Sequence, residues 1–143
     1  YGLPDDFPHP ITLPPKSSCY ERVVAHEQAL ATDIGGERYR FIPFLALHEF
    51  EAWLFTDMAA IASAFPGQSV TELETITAHF TSPEEINEGR ETHPSARLKT
   101  HLRRYEKASH GPLIAQRIGL ANIREKCPHF DQWLRRLETL AQE

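Results

Sequence analysis

The chain has 143 residues, of which 41% are apolar and 24% charged, and a formal net charge of −5. These values exclude a disordered or fibrous protein and suit a single domain able to bury a core. No apolar run reaches the ~18 residues of a membrane span, and two distant cysteines, Cys19 and Cys127, exclude a disulfide framework or a zinc site and read as reduced thiols of a cytoplasmic protein.

The charge is unevenly spread. Residues 1–96 hold 15 acidic against 5 basic side chains, and residues 97–143 hold 5 acidic against 10 basic. A basic nucleic-acid surface beside an acidic site gives that asymmetry, and so do basic, solvated helices near the carboxyl terminus.

Residues 1–16 are proline-rich and aperiodic, an extended lead-in. Tyr1-Gly2-Leu3-Pro4-Asp5-Asp6-Phe7-Pro8 reads as the continuation of something, so the chain is expected to be the carboxyl-terminal portion of a longer domain. Ser18-Cys19-Tyr20-Glu21 has capping-box spacing and opens a helix to about Asp33, stopped by Gly35-Gly36. Arg38 to Leu47, rich in β-branched and aromatic residues, reads as a strand, with Pro43 marking an edge or bulge.

From Glu49 to Phe65 the pattern is helical, in two pieces if Thr56 or Asp57 caps the second. Ser69-Val70-Thr71-Glu72 and Ser82-Pro83-Glu84-Glu85 repeat the capping-box spacing, the first opening a helix to about Phe80. Pro94 opens a helix through Tyr105, and Gly111-Pro112 a short one ending at Gly119. Leu120 to Lys126 and Pro128 to Ala141 complete the set. The expected fold is α/β but predominantly helical, with one or two strands and about six to eight helices. One strand cannot make a sheet, which again points to sequence outside this chain.

Three stretches carry candidate chemistry. The first is His48-Glu49-Phe50-Glu51, where an apolar strand-like run meets a helical one. Carboxylates at that junction occupy the ligand position of open α/β sheets. On a helix, residues two apart do not share a face, so one glutamate at most would face a site; Glu49 as a helix cap with Glu51 solvated fits equally well. A zinc-protease motif is excluded because Ala52 stands where its second histidine belongs. No glycine-rich phosphate loop or Gly-x-Ser-x-Gly elbow is present.

The second stretch, Pro83 to Leu98, joins Asn87, Glu88, Arg90 and His93 to a helix start at Ser95. A helix amino terminus beside an arginine can receive a phosphate, though a polar connecting loop has the same composition. The third is a basic helix in which Arg97, His101 and Arg104 share a face, with Lys99, Arg103, Tyr105 and Lys107 nearby. Such a stripe neutralises phosphates or simply faces solvent.

Tyr-Gly-Leu-Pro-x-x-Phe-Pro at 1–8, Arg-Phe-Ile-Pro-Phe with His-Glu-Phe-Glu-Ala-x-Leu-Phe at 40–55, Pro-Glu-Glu-Ile-Asn at 83–87, Pro-Ser-x-Arg-Leu at 94–98, and His-Gly-Pro-Leu-Ile-Ala with Cys-Pro-His-Phe-x-x-Trp at 110–133 together resemble the bacterial domain-of-unknown-function family 4276. Phe50-Glu51-Ala52-Trp53-Leu54 is also similar to a segment of RloB-like Toprim proteins, relatives of OLD-type nucleases. The resemblance implies an incomplete Toprim-like fold and a Mg²⁺-dependent nuclease of phage defence or mobile elements, encoded beside a partner ATPase. It implies Glu51, with Glu49 and His48 near it, as accessory to a metal whose principal ligands precede Tyr1. Arg90, Arg97, Arg103, Arg104 and Lys107 would contact nucleic-acid phosphates. It also leaves a reading from another class, a non-catalytic domain that docks on the ATPase.

Overall fold

Ser18 opens the first helix, α1 (Cys19–Ile34), by the reciprocal capping that its sequence predicts. Its hydroxyl accepts from the Glu21 amide, while the Glu21 carboxylate accepts from the Ser18 amide at 2.7 Å. Gly35 ends α1 at φ 61°, a left-handed conformation that costs glycine least.

In this computed structural model, which describes residues 3–10, 12–35, 41–86 and 91–140, the chain is predominantly helical. A 3-10 segment at Phe50–Thr56 is followed by α2 (Met58–Ala64) and α3 (Thr71–Thr77). A second 3-10 turn at Pro83–Glu85 leads to α4 (Pro94–His101), α5 (Lys107–Ile118), α6 (Leu120–Lys126) and α7 (Pro128–Leu140). No strand occurs among the described residues.

The chain divides into two compact units, Tyr1–Leu47 with His129–Glu143, and His48–Pro128. The first contains the segment expected as a strand. Residues 38–40 lie outside the described residues, and 41–46 run without a ladder partner. Side chains take the ladder's place: the Leu45 amide donates to the buried Glu27 carboxylate at 2.8 Å, and Trp133 Nε1 donates to the Ile42 carbonyl. Phe44 stacks on His129 and on Trp133, with ring centroids 5.2 and 4.8 Å apart. Aromatic residues that suit a pleated sheet suit this stack as well, so composition alone cannot separate the two.

The second unit is built around the 3-10 segment 50–56, which packs against α2, α4, α5, α6 and the 83–85 turn. Its core comprises Leu54, Ile61, Leu73, Ile86, Leu98, Leu102 and Ile114, all fully buried. Each contributes about 1.5–3 kcal/mol of hydrophobic stabilisation. Lys126 donates to the Thr56 carbonyl at 3.0 Å, and Ser82 donates to the Lys126 carbonyl at 2.9 Å, tying α6 to both 3-10 segments.

Several local expectations shift here. Asp57 caps α2, accepting from the Ala59 and Ala60 amides. Neither later serine completes a capping box. Ser69 accepts from the Thr71 amide and Ser82 from that of Glu84, each two residues on. α3 stops at Thr77 rather than near Phe80, and α4 stops at His101 rather than at Tyr105. Leu102 turns extended and Arg104 adopts φ 65°. Conversely, α5 starts at Lys107, placing Gly111 and Pro112 inside the helix.

Candidate functional site

Glu49 precedes the 3-10 segment in fully extended conformation, φ −164° and ψ 161°. The helical spacing rule therefore does not apply to it, and Glu49 and Glu51 do not diverge. Both carboxylates reach one ammonium, that of Lys107 at the first turn of α5, at 2.8 Å from Glu49 Oε1 and 3.4 Å from Glu51 Oε1.

Every acceptor position of Glu49 is in use. Oε1 accepts from Lys107 Nζ and from the Ser95 hydroxyl at 3.0 Å. Oε2 accepts from the Ser95 amide at 2.8 Å and lies 3.0 Å from His93 Nδ1. A carboxylate only accepts, so this contact is a hydrogen bond when His93 Nδ1 carries a proton; unprotonated, the same nitrogen accepts from the Ala96 amide at 3.4 Å. Burial alone would push the Glu49 carboxyl up, but the bonds from Lys107, the Ser95 amide, His93 and the Ser95 hydroxyl bring it down to about 2. The amino terminus of α4, where sequence suggests a phosphate, thus receives an anion from the protein itself.

Glu51 is more buried and less committed. Its side chain is 4% exposed, and Tyr105 donates to Oε1 at a long 3.4 Å. Burial, then the Glu51 charge and hydrogen bond, push the Tyr105 phenol far up, so it stays a donor. Lys107 behaves oppositely: burial favours losing its proton, and the two glutamates more than compensate, raising its pKa. His48 lies beside this cluster in sequence, at φ 63°, a left-handed conformation uncommon outside glycine.

A family model described as Domain of unknown function (DUF4276) matches residues 1–138. The chain belongs to the DUF4276 family. No curated protein and no solved structure matches it.

The basic residues of the DUF4276 chain do not form one helical stripe. Arg97 lies on α4, half-buried, with its Nε donating to the Thr92 carbonyl, and burial lowers its pKa. His101 pairs with Glu72. Arg103 and Arg104 are exposed in the turn after α4, where the Arg103 amide donates to Gln68 at 2.6 Å. Lys107, grouped by sequence with the phosphate contacts, belongs to the carboxylate cluster while keeping its side chain 46% exposed. Arg90, with Asn87 and Glu88, lies outside the described residues.

Sequence reasoning missed Ser95 and Tyr105 as partners of the glutamates. Ser95 follows a helix-opening proline, where an amide is always free, and that signal could have been matched to a distant carboxylate. Cys127, read from sequence as a reduced thiol, is fully buried, and its pKa is pushed up by burial and by the Glu84 charge.

The residues on hand fit a resident Mg²⁺ poorly. That ion takes near-octahedral oxygen ligands, and Glu49 has no oxygen left to give. Among the described residues no group of three His, Cys, Asp or Glu side chains is placed to hold a metal. Glu51 could lend one oxygen. No helix among the described residues is long and apolar enough to cross a membrane.

Proposed function

We propose that the DUF4276 chain forms one wall of the active site of a Toprim-like, Mg²⁺-dependent nuclease acting on nucleic-acid phosphodiesters in phage defence or mobile-element biology, in the cytoplasm. The observation that carries this reading is the convergence of Glu51 and Glu49 on Lys107 at the edge of a buried helical core. The charges sum to an anionic cluster with a solvent-facing ammonium, which suits a site that handles protons beside a phosphate. Here Glu49 positions Lys107, and Glu51 is the carboxylate that exchanges a proton, with Tyr105 donating to its ionised form. The Mg²⁺ of this reading rests on ligands beyond Glu49 and Glu51, and residues 1–143 by themselves are catalytically inert.

A second reading, a non-catalytic domain that docks on a partner ATPase, draws support from Phe50, Leu113 and Leu120, large apolar side chains left exposed in the second unit. One experiment separates the two. In the encoded protein, Glu51→Gln should lower Mg²⁺-dependent cleavage of DNA or RNA by about a hundredfold or more, with or without the ATPase. Unchanged cleavage would remove Glu51 from the chemistry. Absence of cleavage by the unaltered protein under all these conditions, with ATPase binding retained, would favour docking.

A further inference from the structure

Phe50 is the first residue of a buried segment, lies between the half-buried Glu49 and the buried Glu51, and is nevertheless 38% exposed. Its ring is held from two sides. Trp53 meets it edge-on with centroids 5.5 Å apart, and α5 meets it at Gly111, where an added Cβ would lie 3.2 Å from the ring's Cε1. Gly111 is what lets the ring lie this close to the helix.

Lys107 stands four residues before Gly111 on α5 and so shares its face, about 6 Å away along the axis. Glu49 and Glu51 engage two of the three ammonium hydrogens, which leaves one for an incoming acceptor. The turn leading into α5 adds the exposed Arg103 and Arg104. The acidic side chain exposed in that turn, Glu106, accepts from the Ser109 hydroxyl at 3.2 Å. The surface at Phe50 therefore presents a braced aromatic ring and the Lys107 ammonium, with Arg103, Arg104 and Glu106 exposed in the turn that precedes α5.

We infer that Phe50 and Lys107 form a subsite for single-stranded nucleic acid, with a base stacked on the Phe50 ring and its phosphate held by Lys107. The inference rests on the nuclease reading and names its substrate class. Stacking on an aromatic ring is available to any unpaired base, whereas a duplex keeps its bases stacked on one another. An apolar protein partner would also use Phe50 but would gain nothing from the Lys107 ammonium.

The test is binding of fluorescein-labelled oligothymidylate and oligouridylate by the encoded protein, beside an abasic oligomer of equal length and a blunt duplex. Phe50→Ala should weaken both single strands about tenfold and leave the abasic oligomer unchanged. Phe50→Tyr, which keeps the ring, should bind like the unaltered protein and guards against a mere loss of fold. Gly111→Ala, which pushes the ring aside, should weaken the single strands in the same selective way. Preference for one single strand over the other identifies DNA or RNA as the source of the bases. Equal losses on the abasic oligomer, or tighter binding of the duplex, would overturn the subsite while leaving the nuclease reading standing. Binding of none of the four probes, with cleavage also absent, would sink both.

Discussion

Glu49 shows what a fully satisfied carboxylate does for a fold. Four donors from α4, α5 and the loop before α4 converge on it, and its carboxyl is held at about 2 against an ordinary 4.5. A depressed folded value means that the stabilisation is complete above the unfolded value and is lost as pH falls toward the folded one. Between near-neutral solution and about pH 3, urea unfolding should show the unaltered protein losing roughly 2 kcal/mol more than Glu49→Gln. Equal losses would mean that the clamp does not hold in solution. Sequence spacing misjudged this pair because it assumed that Glu49 was helical. One extended residue reverses the geometry, and propensity does not register a single dihedral.

Among the elements, helix boundaries marked by local chemistry were legible and those set by packing were not. Ser18, Gly35 and Asp57 carry their own hydrogen-bonding or conformational reasons, and α1 and α2 begin or end where those residues predict. Asp57→Ala should therefore cost about 1 kcal/mol in chemical denaturation, with α2 fraying first in hydrogen exchange. The start of α5 had no such marker. Gly111-Pro112 resembles an opening, yet the helix begins at Lys107 and carries Pro112 in its interior despite the lost amide bond. Placing Lys107 against two carboxylates and Gly111 against Phe50 outweighs that local penalty. The basic stripe failed for a related reason, since α4 stops at His101 and Arg104 leaves the helical region.

Across the whole molecule, each unit has its own buried carboxylate chemistry. In the first, Glu27 accepts from the Leu45 amide and lies 3.0 Å from His129 Nε2, with both side chains more than nine-tenths buried. Glu27→Ala removes the carboxylate that the amide and the ring nitrogen share, so unfolding should become easier by about 2 kcal/mol. Protection in hydrogen exchange should fall around residues 41–47. A neutral result would show that water replaces the carboxylate there. This pair was invisible in the sequence, since its members are separated by 102 positions and no motif joins them.

That separation also governs the order of assembly. The second unit is one continuous segment, His48–Pro128, whereas the first draws on both sides of it. Closing a contact across so long an intervening chain carries a loop entropy that local contacts avoid. During synthesis α1 and the Phe44 segment emerge before the second unit, yet Glu27 meets His129, and Phe44 stacks on His129 and Trp133, only after those residues have left the ribosome. α1 and the Phe44 segment thus wait for α7, while the Glu49–Lys107 clamp can close before α7 is made.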